Sequence, residues 1–118
     1  MILRNSYAFS AAHRLPAHQG LCQNLHGHNY TFEVGLDGPI DADSGMVMDF
    51  ADLDDVVNEH AVKILDHRML NELMPNPTAE HIAVWIWRAL RPHLPLLSEV
   101  RVYEIPQAVV IYRGEYES

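Results

Sequence analysis

Three histidines in the first quarter of the chain have the types and the spacing of a metal site. His26 and His28 flank Gly27, and if this stretch is extended both side chains leave the same face. His13 lies near the end of the preceding predicted strand, so an antiparallel hairpin would bring it beside the other two. Three neutral imidazoles leave one coordination position open, which is typical of a catalytic zinc site. A chain with eight histidines in 118 residues can also carry them as ordinary core or surface residues.

The single cysteine, Cys22, lies four residues before His26. It could close the site as a fourth zinc ligand, or it could be a small buried hydrophobic side chain. Its neighbours Gln23 and Asn24 are polar, which argues against an apolar environment. Near a divalent cation the pKa of a thiol falls toward neutrality, and the thiolate would then act as a base or nucleophile. The residues leave ligand and base as open alternatives.

Two further groups are candidate acid–base or binding residues. Asp66 and His67 follow the first predicted helix, where they form either a proton-transfer pair or the solvated end of that helix. Glu104 continues the strand face of Val100 and Val102, where an apolar side chain is expected. Either the strand ends there and Glu104 reaches water, or its carboxylate is held for ligand binding.

Composition narrows the class of protein. Eight lysine and arginine residues against 16 acidic ones give a formal charge of 8 − 16 = −8, which argues against a nucleic-acid partner. No apolar run approaches the roughly 18 residues that span a membrane, and the first residues lack the apolar core of a signal peptide. One cysteine cannot form an internal disulfide, in agreement with a reducing compartment. We therefore expect a cytoplasmic protein with one domain over residues 1–118 and no membrane partner.

The elements that must position these residues follow the order ββααββ. Strands are predicted at residues 2–15, 29–37, 99–105 and 108–114, with two helices between the second and third strands. Asp49 and Thr78 are the predicted N-caps of the helices. This order predicts an α+β fold with a four-stranded antiparallel sheet and both helices on one face. Because four strands do not easily close a barrel, we expect the sheet edges to pair in an oligomer.

Apolar residues at helical spacing define the predicted buried face of each helix. In the first helix these residues are Phe50, Leu53, Val57, Ala61 and Ile64. In the second helix they are Ala79, Ile82, Ala83, Ile86 and Leu90.

Six segments in order resemble the 6-pyruvoyl-tetrahydropterin synthase family over nearly the whole chain. They are "FSAAHRLP", "CQNLHGHNY", "GMVMDFADL", "LDHRMLN", "NPTAEHIAVWIW" and "YEIPQAVVIYRGE". The short spacing Cys-x-x-x-His-Gly-His is similar to that of the 6-carboxy-tetrahydropterin synthase branch.

The resemblance implies a tunnelling fold, in which ββααββ subunits pair their sheets into a barrel as a trimer or a dimer of trimers, a homohexamer. It implies that three residues bind Zn²⁺, namely His13, His26 and His28. It implies that Cys22, Asp66 and His67 carry proton transfers across a subunit boundary. Glu104 would anchor the pterin ring. Relatives commonly carry a hydroxyl-bearing residue after that glutamate, so Ile105 departs from the family pattern.

The implied activity is that of a zinc-dependent carbon–carbon and carbon–oxygen lyase. It would convert 7,8-dihydroneopterin triphosphate to 6-carboxy-5,6,7,8-tetrahydropterin, acetaldehyde and triphosphate, in queuosine and 7-deazaguanine biosynthesis. The alternatives are 6-pyruvoyl-tetrahydropterin synthase activity, a non-catalytic zinc- or pterin-binding oligomer, and a simple zinc hydratase or hydrolase. In this acidic chain, Arg14 or Arg113 are candidates to attract the triphosphate.

Overall fold

The two amino-terminal strands form one hairpin that is paired along its whole length. The computed structural model describes residues 1–15 and 26–117, with His26 described by its backbone. Strand β1 (Ile2–His13) pairs antiparallel with β2 (His26–Asp37), from Ile2 opposite Asp37 to His13 opposite His26. The predicted hairpin is confirmed. The second strand begins three residues earlier than predicted, so His26 and His28 lie in the strand and not in the preceding loop.

Among the described residues the sheet has five strands instead of the predicted four. Strands β4 (Leu97–Ile105) and β5 (Ala108–Tyr112) continue it beyond β2, and β3 (Arg68–Met69) pairs in parallel with β1. The order in the described chain is β3-β1-β2-β4-β5. The prediction missed β3 because two residues are too short to show an alternating pattern. The α+β class with a mostly antiparallel sheet is confirmed.

The first helical segment contains an unpredicted π turn. It consists of α1 (Phe50–Val57), a π turn at Asn58–Val62 and the short helix α2 (Lys63–Leu65). The i→i+5 bonding of a π turn adds a residue to one turn and rotates the helix beyond it. As a result Leu65 is fully buried where Ile64 was predicted. The prediction for Phe50 was also wrong, because it begins the helix and is 60% exposed.

The second long helix, α3 (Ala79–Leu90), agrees closely with its predicted face. Thr78 is its N-cap and accepts a hydrogen bond from the His81 backbone N–H at 3.2 Å. Its buried residues are Ile82, Ala83, Ile86, Trp87 and Leu90. They pack with the helix-facing residues of the strands into one hydrophobic cluster.

Alternation along β4 determines which side chains meet the helices. Val100 and Val102 are fully buried in the cluster, and Glu104 continues their face. Glu99 lies on the opposite face of the strand. No helix among the described residues is long and apolar enough to cross a membrane. Assembly into trimers or hexamers stays a prediction.

Candidate active site and metal centre

Two histidines and a glutamate converge beside the end of β1. One nitrogen each from His13 and His28 and one carboxylate oxygen of Glu104 lie within 4.8 Å of one another. These residues come from β1, β2 and β4, which are consecutive in the sheet. The rings of His13 and His28 meet edge to face with centroids 5.0 Å apart. Three neighbouring strands therefore direct potential metal ligands to one point.

The surroundings of His13 indicate which of its ring nitrogens carries the proton. The side chain is fully buried, and Nδ1 lies 2.9 Å from the carbonyl oxygen of Pro77. The hydroxyl oxygen of Tyr30 lies 2.9 Å from the same nitrogen. Because a carbonyl oxygen only accepts hydrogen bonds, Nδ1 carries the hydrogen and donates it. Nε2 then presents a lone pair, as in metal-binding histidines whose other nitrogen donates to a backbone carbonyl.

That lone pair faces the carboxylate of Glu104. Nε2 of His13 lies 3.5 Å from Oε1 of Glu104. His13 is buried and Glu104 is partly exposed, and two acceptors at this separation repel each other unless a proton or a cation lies between them. Two imidazoles and one carboxylate are a ligand set that catalytic metal sites use. The residues present therefore fit a bound divalent metal ion.

Two predicted site residues fall partly or wholly outside the described residues. The backbone of His26 lies directly opposite His13 in the hairpin, and nothing further is described for its side chain. Cys22 lies in residues 16–25, outside the described part of the chain. The assignments of His26 as a metal ligand and of Cys22 as a base therefore stay predictions. Glu104, predicted to anchor a pterin, lies within reach of the histidines and is also a candidate ligand.

The side chains of Asp66 and His67 contact each other, and both residues are attached to β1. Oδ2 of Asp66 lies 3.0 Å from Nδ1 of His67. Oδ1 of Asp66 accepts a hydrogen bond from the Ser10 N–H at 2.9 Å, and the His67 N–H donates to the Ser10 carbonyl at 2.6 Å. One residue of β1 thus holds both members of the pair. The His67 side chain is 83% exposed, so it can exchange protons with a bound molecule or with water.

The backbone and the charge of this pair are both unusual. His67 has a φ of 57°, in the left-handed region that residues other than glycine rarely occupy. The hydrogen bond from the Ser10 N–H lowers the pKa of Asp66 most, and His67 lowers it further. Asp66 is therefore ionised at neutral pH, and its carboxylate orients the imidazole across the 3.0 Å contact. These are properties of a proton-transfer pair.

Two clefts open beside these residues and share Asn29. The first, of about 460 Å³, is lined by His28 and His67 among others. The second, of about 310 Å³, is lined by Glu104 and Ile105. His28 of the candidate metal site and His67 of the acid–base pair thus border one cleft, and the candidate ring anchor borders the next.

The two arginines considered for a triphosphate have described contacts with the protein. Nε of Arg113 donates to Oε2 of Glu99 at 3.1 Å, so a carboxylate of the protein balances its charge. The backbone of Arg14 is hydrogen-bonded to the side chain of Asn71. Their role toward a triphosphate stays a prediction.

Sequence reasoning missed the residues that support the candidate ligands. Tyr30 and Pro77 contact Nδ1 of His13, and Ser10 holds the acid–base pair. Tyr30 carried a usable signal, since it follows His28 by two residues and so shares its strand face. Pro77 and Ser10 contribute backbone groups to these contacts, which every sequence offers, so no residue type reveals them.

Comparison with known proteins identifies the family. A model of the family described as "6-pyruvoyl tetrahydropterin synthase" matches residues 2–115. The putative 6-carboxy-5,6,7,8-tetrahydropterin synthase of Archaeoglobus fulgidus is 43% identical over 88% of this chain and 88% of its own length. The dihydroneopterin monophosphate aldolase of Pyrococcus furiosus is 46% identical over 75% of this chain and 73% of its own. The structure of Caenorhabditis elegans 6-pyruvoyl tetrahydropterin synthase superposes with a TM-score of 0.88 at 30% identity, covering 98% of this chain and 96% of that one.

Proposed function

Because the chain belongs to the 6-pyruvoyl tetrahydropterin synthase family, we propose that it is a zinc-dependent 6-carboxy-5,6,7,8-tetrahydropterin synthase. Its substrates would be 7,8-dihydroneopterin triphosphate and one water molecule, and its products 6-carboxytetrahydropterin, acetaldehyde and triphosphate. The observation that carries the proposal is the meeting of His13, His28 and Glu104 on the same hairpin and sheet that hold Asp66 and His67.

The metal would be zinc, held by the histidines. Because Nδ1 of His13 carries the proton, its Nε2 can offer a lone pair to the metal. His28 presents a second imidazole nitrogen close to the same point. We assign His26 as the third ligand, since its backbone lies opposite His13. When bound, zinc supplies the Lewis acidity that makes the hydroxyl and adjacent carbon-bound protons of the substrate side chain easier to remove.

Proton transfer is assigned to Cys22 and to the Asp66–His67 pair. Cys22 as thiolate would take the proton from the side-chain carbon next to the ring. His67 would take and return protons on the other face, because its imidazole is exposed at a cleft and paired with an ionised Asp66. The electrons move within the substrate, so no redox cofactor is needed.

Glu104 is assigned as the anchor of the pterin ring. A carboxylate accepts two hydrogen bonds side by side, which matches the adjacent amino and N–H groups of a pterin. Its side chain is 29% exposed and lines a cleft, so a ring entering that cleft can reach it. The same carboxylate lies 3.5 Å from His13, so an anchored ring would lie close to the metal.

The choice among the family's activities depends on the cysteine spacing and on one relative. Cys22 lies four residues before His26, which is similar to the carboxy branch. The archaeal relative that carries the 6-carboxy name covers 88% of this chain. The runner-up is 6-pyruvoyl tetrahydropterin synthase activity, supported by the structural similarity to the nematode enzyme. Aldolase activity on a monophosphate is a further alternative, because the Pyrococcus enzyme is 46% identical.

One incubation separates these activities. The zinc-loaded protein is mixed with 7,8-dihydroneopterin triphosphate, and the pterin product, free triphosphate and acetaldehyde are measured. The proposal expects all three products in equal amounts, with 6-carboxytetrahydropterin as the pterin. Triphosphate without acetaldehyde would indicate the 6-pyruvoyl activity. A shortened pterin without free triphosphate would indicate aldol cleavage with the phosphate on the departing fragment. No turnover at all would support the non-catalytic alternative.

Two variants test the division between ligand and base. Cys22→Ala should retain zinc at wild-type stoichiometry and lose turnover by at least a hundredfold, the usual effect of removing a proton-transfer group. His26→Ala should lose the metal. If Cys22→Ala releases zinc, the cysteine is a ligand and the assignment of its role is wrong.

A further inference from the structure

Asn71 clamps the residue that follows His13. Its Nδ2 donates to the Arg14 carbonyl oxygen at 2.8 Å, and the Arg14 N–H donates to its Oδ1 at 2.8 Å. One side-chain amide therefore pairs with both backbone groups of Arg14, as a neighbouring strand would do in a ladder. Nδ2 also lies 3.4 Å from the carbonyl oxygen of Pro75.

The same amide thus supports His13 from two sides. Through Arg14 it extends the pairing of β1 by one residue beyond His13. Through Pro75 it contacts the loop in which Pro77, two residues later, accepts the hydrogen bond from Nδ1 of His13. The first contact restrains the backbone of the histidine, and the second restrains the group that orients its ring.

The contact between Asn71 and Arg14, here called the clamp, is one end of a series of contacts that join β1 to residues 66–71. At the other end, Ser10 binds Asp66 and the His67 backbone. Between the two ends lies the parallel pairing of β1 with the two residues of β3. His13 lies within this attached stretch. Its position relative to the acid–base pair is therefore set by contacts at both ends.

We propose that Asn71 is the positioning residue that holds the His13 imidazole and the Asp66–His67 pair in one fixed arrangement. The inference rests on the proposed metal-dependent function, because it assigns His13 as a ligand. Groups that orient a metal ligand typically change metal affinity by about 10- to 100-fold when they are removed. We expect that range for the loss of the Asn71 clamp.

The clamp needs a side chain that both donates to and accepts from the Arg14 backbone, and the substitutions remove one or both of these functions. Asn71→Asp keeps the size and the acceptor for the Arg14 N–H, but it places a charge against the carbonyl oxygens of Arg14 and Pro75. Asn71→Ser is milder, since a shorter hydroxyl can satisfy only part of the clamp. Asn58→Asp is the matched control, because Asn58 is exposed on the π turn.

The test measures zinc affinity of the full-length protein by competition with a chromophoric chelator, without substrate. Asn71→Asp should weaken zinc binding about 10- to 100-fold and Asn71→Ser by less, while Asn58→Asp stays within about twofold of wild type. Cobalt-substituted protein should show an altered visible spectrum for the Asn71 variants, since the ligand geometry changes. Wild-type affinity and an unchanged cobalt spectrum in both Asn71 variants would overturn the proposal.

Two further measurements keep the outcome interpretable. Thermal unfolding of the metal-free proteins shows whether each variant folds, and Asn71→Ser carries the test if Asn71→Asp does not. Hydrogen exchange of the Arg14 amide reports the clamp without any metal, and faster exchange in Asn71→Ser is expected. If the wild type binds no divalent metal, the proposed function fails. In that case unchanged exchange at Arg14 would overturn the clamp as well, and faster exchange would support it.

Discussion

Two glutamates five residues apart on β4 have opposite surroundings. Glu99 lies on the face away from the helices, with its side chain 6% exposed. Arg4, Arg101 and Arg113 donate to it at 2.9, 2.6 and 3.1 Å. Burial alone would raise the pKa of this carboxyl, but the hydrogen bonds from the arginines outweigh burial and hold the pKa below its usual range. Glu104 lies on the helix-facing side and is 29% exposed.

The difference between the two carboxylates separates a structural role for Glu99 from a candidate functional role for Glu104. Glu99 joins β1, β4 and the end of β5 through arginines that already balance its charge. Glu104 instead faces the buried His13 across 3.5 Å and lines a cleft. A carboxylate that the fold already neutralises has little to offer a ligand. A carboxylate directed at a histidine lone pair can still bind a cation or a hydrogen-bond donor.

The largest difference between the two glutamates should appear in kcat/KM when each is replaced by glutamine. Glu104→Gln should lower kcat/KM by about 100-fold, because it removes charge-assisted hydrogen bonds to the pterin ring, each of which contributes about 1.5 to 3 kcal/mol. Glu99→Gln should change kcat/KM by less than about threefold at a temperature where it is folded. Steady-state kinetics with 7,8-dihydroneopterin triphosphate gives both values.

Metal content measured on the same two variants decides how Glu104 acts. As a ring anchor it can be replaced by glutamine with zinc stoichiometry unchanged. Loss of zinc from Glu104→Gln would show that it is a metal ligand, with His13 and His28 as its partners. In that outcome the predicted ligand set of three histidines is wrong.

The free energy of unfolding should rank the two variants in the opposite order to kcat/KM, with the larger loss in Glu99→Gln. Glu99→Gln leaves three guanidinium groups close together without their shared carboxylate, which is costly for a buried ion pair. Because these arginines are 23% to 61% exposed, solvent reduces the effect, and we expect a loss of about 1 to 3 kcal/mol in the free energy of unfolding. Urea denaturation of the metal-free proteins measures it. Glu104→Gln should lose less than Glu99→Gln, and the opposite order would contradict the structural role of Glu99.

The contribution of Glu99 should also depend on pH in a definite direction. Its pKa in the folded protein lies below the ordinary value of 4.5, so the folded state favours the ionised form. The resulting stabilisation is present above about pH 4.5 and disappears as the pH falls through the folded pKa. The difference in unfolding free energy between wild type and Glu99→Gln should therefore shrink as the pH is lowered from about 6 toward 3.5. Metal-free protein is used, so that loss of bound metal at low pH does not contribute, and any titration common to both proteins cancels in the difference.

The smallest effect is expected beside Glu104. Ile105 is half-exposed and lines the same cleft, and it has no side-chain hydrogen bond to offer a ring. Ile105→Thr should lower KM by about two- to tenfold with kcat unchanged, because one neutral hydrogen bond contributes about 0.5 to 1.5 kcal/mol. An increase in KM would show that the apolar side chain itself contacts the substrate, and Ile105→Val is the control for its size.

The two glutamates also show what the sequence could reveal. The alternation through Val100 and Val102 correctly placed Glu104 on the helix-facing side of its strand. Alternation alone gives no sign that Glu99, on the outer face of the same strand, is buried. One of its arginines is 95 residues away in the chain, and such a pairing leaves no local pattern.

Other predictions succeeded or failed according to whether the feature leaves a pattern in the sequence. The predicted hairpin correctly brought His13 beside the His26–His28 stretch, because an antiparallel hairpin places the end of its first strand opposite the start of its second. The π turn could not be foreseen from helical periodicity, and it moved burial from Ile64 to Leu65. The supports of the site are backbone groups, the Tyr30 hydroxyl and the amide of Asn71, which lies in the segment "LDHRMLN" that resembles the family. The resemblance of that segment to the family does not indicate that its Asn71 holds the backbone beside His13.

The left-handed backbone of His67 has a consequence for how this protein tolerates change. An L-residue in that conformation costs about 1 to 2 kcal/mol relative to the right-handed one, and asparagine adopts it readily. His67→Asn is therefore a substitution that selection for stability alone would not oppose, although it removes the imidazole. The proposed proton transfer requires histidine at this position while stability does not, so a screen for thermal tolerance alone would not select for the proposed proton carrier.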